Sequence, residues 1–334
     1  MKALVTGASG FIGSYLVEEL RANHHQVTAF CHPGSVAAHL HDVGVRIAVG
    51  DITNLASVLS ACKGQDWVFH AAAIVGGYGP WERFKRVGVE GTRNVIDAAA
   101  TSGVPRVVHI SSIVVYGTRS HGVPLTEAMP FNENPERWNH YVRQKILSEK
   151  LLWEAHRERR IQATAVRPSM VLGPRDRNVV RRALSIIKSP LGAIVGEGKN
   201  RVPCVAVEEL AVAIVRAASS ETAIGKAYNL SGSYPITQME FMSFHAAAAG
   251  LRPLTRQLPM PVLTAFCTLM EATYRLTRRK REPFCTRLAL ALGGHDYEVD
   301  CSRAKADLGW RGFASYEDAI RRGVEWYLEH QHRK

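Results

Sequence analysis

Tyr141 and Lys145 stand four residues apart in YVRQK. On a helix, positions i and i+4 share a face. An ammonium held near a phenol favours the phenolate and lowers a pKa that is ordinarily near ~10. A phenol tuned in this way could exchange a proton with a substrate oxygen near neutral pH. Ser112, at the end of an apolar run in RVVHISS, could donate a hydrogen bond to the same oxygen. A Y-x-x-x-K pair alone recurs by chance, so its meaning depends on the elements that would have to position it.

The first of those elements opens the chain, in KALVTGASGFIG. Ala3, Leu4 and Val5 read as a buried strand. Thr6 and Gly7 break it, and Gly10 and Gly13 follow at three-residue steps. Phe11, Ile12, Tyr15, Leu16 and Leu20 then recur at helical spacing. Strand, glycine turn and helix make the phosphate-binding unit of a dinucleotide fold. Glycines remove the Cβ atoms that would hold a pyrophosphate off the backbone. The first helical turn adds unpaired N–H groups and the positive end of its dipole.

Further strands are expected at 26–30, 45–49, 66–70, 106–110 and 161–166, with a long amphipathic helix over 82–101 carrying Val87, Val89, Val95, Ile96 and Ala99. Alternation of this kind predicts an α/β fold, a Rossmann-like doubly wound parallel sheet. Ligands of such sheets bind outside the carboxyl ends of the strands, where Gly7, Asp51, Ala71 and Ser112 would all lie. At the end of the second strand, Cys31 and His32 replace the carboxylate that would accept hydrogen bonds from a ribose and select NAD. Loss of that negative charge mildly favours NADP, and His32 could touch its phosphate or simply face solvent. Asp51 could accept from the adenine amino group or cap the following helix, a role Thr53 could also fill. Ala71, Ala72 and Ala73 are small enough to let a cofactor approach the backbone.

Composition narrows the class. With 334 residues, 46% of them hydrophobic, the chain can bury a large core. A strand from Lys2 leaves no room for a leader, and no apolar run approaches the ~20 residues of a membrane span, so a cytoplasmic location is expected. Six cysteines without CxxC spacing read as reduced thiols, and no metal site is expected. The net charge of +12 is spread except for a dense run at Arg275, Arg278, Arg279, Lys280 and Arg281. No nucleic-acid-binding signature accompanies it, so nucleic acid is not an expected partner.

Taken together, TGASGFIG, GDITN, HAAA, VEGTRNV, SSIVVYG, YVRQK and RPSMVLGP resemble the extended branch of the short-chain dehydrogenase/reductase superfamily, the NAD-dependent epimerase/dehydratase family. The likeness covers most of the chain. It implies that Ser112, Tyr141 and Lys145 are a catalytic triad, that Lys145 also binds the nicotinamide ribose, and that Pro168, Ser169, Met170 and Val171 meet the carboxamide. The implied cofactor site further comprises Gly7, Ser9, Gly10, Phe11, Ile12, Gly13, His32, Asp51, Ile52 and Ala71 to Ala73, with NADP or NAD as cofactor. Gln144 stands where the family often has Ser or Thr, and His140 precedes the tyrosine. Ile113, Val114 and Val115 replace the acidic pair of the dehydratases. The overall pattern looks most like the 3β-hydroxysteroid dehydrogenase and dihydroflavonol reductase group.

The expected division is a dinucleotide-binding domain over residues 1–170, to which later segments return, and a smaller mixed α/β substrate lobe mainly over 171–334. Arg181, Arg182 and Lys188 in that lobe could bind an anion or face water. Residues 261–277 carry Val262, Phe266, Leu269, Met270, Thr273 and Leu276 at helical steps, directly before the basic run. This stretch could be a lid over a substrate pocket, core, or an interfacial membrane helix, so peripheral membrane contact is an option over 261–281. The expected activity is hydride transfer between NAD(P) and a secondary alcohol or ketone of a bulky, largely apolar small molecule, with Tyr141 as general acid/base. A sugar-nucleotide epimerase and a non-catalytic NADP sensor are the alternatives. Resemblance alone suggests a homodimer.

Overall fold

The computed structural model describes residues 1–331 apart from 36–38, 120, 235, 280–281 and 313–314. Seven strands form its central sheet: β1 (Lys2–Thr6), β2 (Gln26–Cys31), β3 (Arg46–Val49), β4 (Trp67–His70), β5 (Arg106–Ile110), β6 (Gln162–Pro168) and β7 (Ala227–Leu230). Their order is β7-β6-β5-β4-β1-β2-β3, and each pair is parallel. Strands covered on both faces carry apolar runs without alternation, which is why Ala3, Leu4 and Val5 are all fully buried.

One face of the sheet packs on helices α1 (Phe11–Ala22) and α5 (Val207–Ser219), whose Leu16, Leu20, Leu210 and Ile214 share a core with Val5 and Val108. The other packs on α2 (Leu55–Cys62), α3 (Gly91–Thr101) and α4 (His140–Arg157). The chain leaves β1 toward β2 and β3 on one side and crosses to β4 on the other, so a crevice opens outside the carboxyl ends of β1 and β4.

Several local expectations shift. The helix expected over 82–101 is a short α-turn at Trp81–Phe84, a π-helical stretch at Lys85–Glu90 and then α3. Neither Asp51 nor Thr53 caps α2. Asn54 does, accepting from the amides of Ala56 and Ser57 at 3.0 and 3.3 Å, while Asp51 holds the Thr53 amide at 2.8 Å. Ala227–Leu230 extends the main sheet as β7, pairing with β6. A short strand at Cys204–Ala206 pairs with Met170–Leu172 outside the main sheet. A separate core of the C-terminal part gathers Leu172, Val180, Leu184, Ile194, Phe241 and Ile320.

Candidate active site

The turn after β1 shows what its glycines do. A Cβ on Gly13 would meet the Gly7 carbonyl oxygen at 2.1 Å, and one on Gly7, which has φ +69°, would meet the Ala72 backbone at 2.8 Å. Two of the three glycines are thus imposed by the protein's own backbone. A Cβ on Gly10 would reach only the Gly7 oxygen, at 3.1 Å. Gly10 begins α1, and no side chain caps that end. The cradle therefore leaves the amides of the first helical turn facing the crevice, as a pyrophosphate requires.

The loop after β4 forms the opposite wall, and a buried chain of hydrogen bonds fixes it. Thr92 donates its hydroxyl to the Gly88 carbonyl at 2.7 Å and so must accept from His70 Nε2, 2.9 Å away. His70 Nδ1 is then unprotonated and accepts from the Thr6 hydroxyl at 2.8 Å, and Thr6 accepts from the Ala72 amide at 3.4 Å. This network assigns the tautomer. Burial, with Lys145 nearby, pushes His70 down to about 3, and its neighbour His109 lies well below the ordinary histidine value for the same first reason.

Ser112 lies two residues past the end of β5 and caps a 3-10 turn at Ile113–Tyr116. Tyr141 and Lys145 lie in the first two turns of α4, which Asn139 caps by accepting from the Val142 amide. The Tyr141 hydroxyl stands beside Ser112, whose hydrogen bond pulls the phenol down, as does the charge on Arg182. Burial outweighs both, and the phenol lies above its ordinary value. This corrects the expectation that Lys145 lowers it. The Lys145 ammonium is itself buried and donates to the Ile110 carbonyl at 2.7 Å. Its pKa is lowered to about 8, because desolvation exceeds the pull of Glu149.

Glu149 is fully buried and anchors this wall. It accepts from Ser111, from Trp153 Nε1 at 2.9 Å and from Arg167 Nε at 3.0 Å, while Arg167 Nη1 donates to Tyr116 at 2.6 Å. The two helix residues that depart from the family pattern tie α4 to the loop after β4. Gln144 donates to the Ile74 carbonyl, and His140 Nδ1 lies 3.1 Å from the Gly79 carbonyl, with its ring against Trp81 and Phe84. His140 does not line the pocket.

At the other end of the crevice, His32 Nε2 lies 3.7 Å from Asp51, and the Ser9 and Ser35 hydroxyls are 3.3 Å apart. The expected site residues Gly7, Ser9, Gly10, Phe11, Ile12, Gly13, His32, Asp51, Ile52, Ala71, Ala72, Ala73, Ser112, Tyr141, Lys145, Pro168, Ser169, Met170 and Val171 all line one cleft of about 820 Å³. The cradle and the small Ala71–Ala73 wall fit a dinucleotide. Beyond Tyr141 the cleft continues between apolar side chains, among them Leu263, Phe266, Phe284, Leu288 and Leu290.

Sequence reasoning missed Arg83, Arg86 and Gly76, which also line the cleft. The i, i+3 spacing of the two arginines on the 81–90 segment was the available signal. Arg181 and Arg182, read as an anion site or a solvated face, both bind Glu282.

The model of the NAD-dependent epimerase/dehydratase family matches residues 3–231. A 2-alkyl-3-oxoalkanoate reductase of Shewanella oneidensis is 29% identical over 333 residues, 96% of this chain and 84% of that protein. The human sterol-4-alpha-carboxylate 3-dehydrogenase, decarboxylating, is 28% identical over 335 residues, 97% of this chain and 87% of that one. Among solved structures, that of gox2253 superposes with a TM-score of 0.81 at 28% identity, covering 99% of each chain.

Proposed function

Because the chain belongs to the NAD-dependent epimerase/dehydratase family, we propose that it is an NAD(P)-dependent oxidoreductase acting on a secondary alcohol or ketone of a bulky, largely apolar molecule. The observation that carries this reading is the position of Tyr141. Its hydroxyl lies beside Ser112, in a cleft lined both by the glycine turn after β1 and by apolar side chains of the C-terminal part. A nicotinamide dinucleotide held along the cradle supplies the hydride donor or acceptor. Tyr141 gives its proton to the carbonyl oxygen in reduction and takes it back in oxidation. Ser112 donates a hydrogen bond to the same oxygen. Lys145, buried on the same wall with its ammonium donating to the Ile110 carbonyl, is the residue assigned to the ribose. Burial keeps Tyr141 protonated at neutral pH, the form that reduction requires.

NADP is the proposed cofactor. The end of β2 is Cys31 and His32 with no carboxylate, and the Ser9 hydroxyl lies beside it, 3.3 Å from that of Ser35, whose own proton goes to the His32 carbonyl at 2.7 Å. The apolar lining beyond Tyr141 supports a lipophilic substrate. It speaks against a sugar-nucleotide epimerase, whose substrate is polar throughout. The intact Ser112, Tyr141 and Lys145 set speaks against a non-catalytic sensor.

The test is oxidation of NADPH, and in parallel NADH, with bulky hydrophobic ketones. Tyr141→Phe is expected to cut turnover by ~10²–10⁴-fold while binding of the reduced dinucleotide, read by its fluorescence, is unchanged. Full activity in the variant, or loss of dinucleotide binding, overturns the assignment.

A further inference from the structure

We propose that the helix α6 (Met260–Leu276) is a membrane-docking element that lays its outer face on an anionic lipid surface. The helix has 17 residues and begins after Pro259. Its inner face is built normally: Leu263 and Cys267 are buried, and Leu263 and Phe266 line the apolar half of the cleft. Its outer face is not. Val262 is 51% exposed, Leu269 70% and Leu276 86%, and with Ala265 and Ala272 they follow three- and four-residue steps along one stripe.

The threonines along this helix and at its end are compatible with such a surface. Thr264 donates its hydroxyl to the Met260 carbonyl at 2.8 Å, Thr268 to Thr264 at 2.7 Å, Thr273 to Leu269 at 2.9 Å and Thr277 to Thr273 at 2.7 Å. All four are exposed. Each hydroxyl is thus satisfied by its own helix and presents a methyl group outward. Such back-bonding is ordinary for helical threonines, and it leaves none of these hydroxyls in need of a water that a lipid surface would remove.

Charge names the medium. Residues 251–281 hold Arg252, Arg256, Arg275, Arg278, Arg279, Lys280 and Arg281 against one acid, Glu271. Lys280 and Arg281 lie outside the described residues. Glu271 is buried, and Arg287 neutralises it through Nη2 at 2.8 Å and its amide at 2.7 Å, with the exposed Arg275 a longer partner at 3.6 Å. The five described arginines other than Arg287 are exposed and flank both ends of the stripe. An apolar stripe between two cationic ends complements a bilayer surface with anionic headgroups. A second copy of the chain is the poorer partner, because parallel or antiparallel pairing of this helix sets cations against cations with no exposed acid between them. At ~25 Å the helix lies in the interface and does not cross it. Docking stands on α6 alone. That it opens the apolar half of the cleft to lipid, so that substrate enters from the bilayer, rests on the reading proposed above.

Flotation of the whole protein with vesicles tests this. The wild type is expected to float with phosphatidylcholine vesicles containing phosphatidylglycerol, to stay behind with phosphatidylcholine alone, and to be released by high salt. Leu269→Gln with Leu276→Gln, and separately Arg275→Gln with Arg278→Gln and Arg279→Gln, are each expected to weaken partitioning by more than about tenfold. Binding of reduced dinucleotide, unchanged in both variants, shows that they are folded and keeps this outcome separate from the fate of the catalytic assignment. The proposal is overturned if the wild type ignores anionic vesicles or if the variants float as it does. It is equally overturned if the same substitutions abolish a concentration-dependent dimer while no vesicle binding is seen, which would assign the face to a second copy.

Discussion

Lys145 is an ammonium held where water is excluded. Its pKa lies at about 8, below the ordinary 10.5. A lysine whose folded value is depressed costs stability, and the cost is fully present below pH 8 and disappears as pH rises toward the unfolded value. Lys145→Met is therefore expected to raise the unfolding free energy at pH 7 by about 1–3 kcal/mol while abolishing turnover. Denaturant unfolding of the two proteins at pH 7 and pH 10 checks it: the gap closes at the higher pH, and a less stable variant at pH 7 refutes the account. Tyr141 follows the same physics with opposite sign, since burial raises it. Lys145 bears its cost at neutral pH and Tyr141, uncharged there, does not, as expected where function rather than folding fixes the lysine.

Among the elements, the glycine turn separates protein-imposed from ligand-imposed glycines. Gly13→Ala drives a methyl into the Gly7 carbonyl at 2.1 Å, and neither partner is a side chain that can swing away. Destabilisation of about 3 kcal/mol or more is expected, whether or not cofactor is present. Gly10→Ala meets the same oxygen only at 3.1 Å and should leave thermal stability within about 1 kcal/mol of wild type while weakening dinucleotide binding. Melting curves without cofactor distinguish the two, and equal losses would remove the distinction. The π-helical stretch belongs to the same set of close approaches. A Cβ on Gly88 would meet Gln144 at 2.0 Å, so this glycine lets α4 lie close enough for Gln144 to hold the loop after β4.

For the whole molecule, three buried histidines tie stability to pH. His70 sits at about 3, His245 at about 4, and His109 well below its ordinary value, each chiefly through burial. Their folded values are depressed, so the native state stays neutral while the unfolded chain takes up protons below about pH 6.5. Stability is intact above that value and is lost as pH falls. Three protons correspond to a slope near 4 kcal/mol per pH unit around pH 5. Asp176, buried and raised, offsets part of this. Thermal melts at pH 7 and pH 5 should show the fall, and His70→Gln should flatten it. A melting temperature independent of pH over this window would contradict the neutral-histidine network.

Local physics made much of this protein legible in one dimension. Apolar runs of four to six residues, each followed by small or polar residues and then helical spacing, can form only a parallel sheet with helices on both faces. That pattern sets Gly7, Asp51, Ala71 and Ser112 at the ends of apolar runs and Tyr141 and Lys145 one turn apart on a helix. Their gathering on one cleft follows from topology, because parallel strands bring all their carboxyl ends to one edge. The tertiary structure decided whatever depends on distance and burial between segments far apart in sequence. It turned Lys145 to the Ile110 carbonyl, raised Tyr141, gave Arg182 to Glu282, put Ala227–Leu230 at the sheet edge, and left the outer stripe of Met260–Leu276 uncovered. Periodicity reports which face of an element is apolar. Only the packed chain determines what, if anything, that face meets, since desolvation and contact are properties of neighbours and not of spacing.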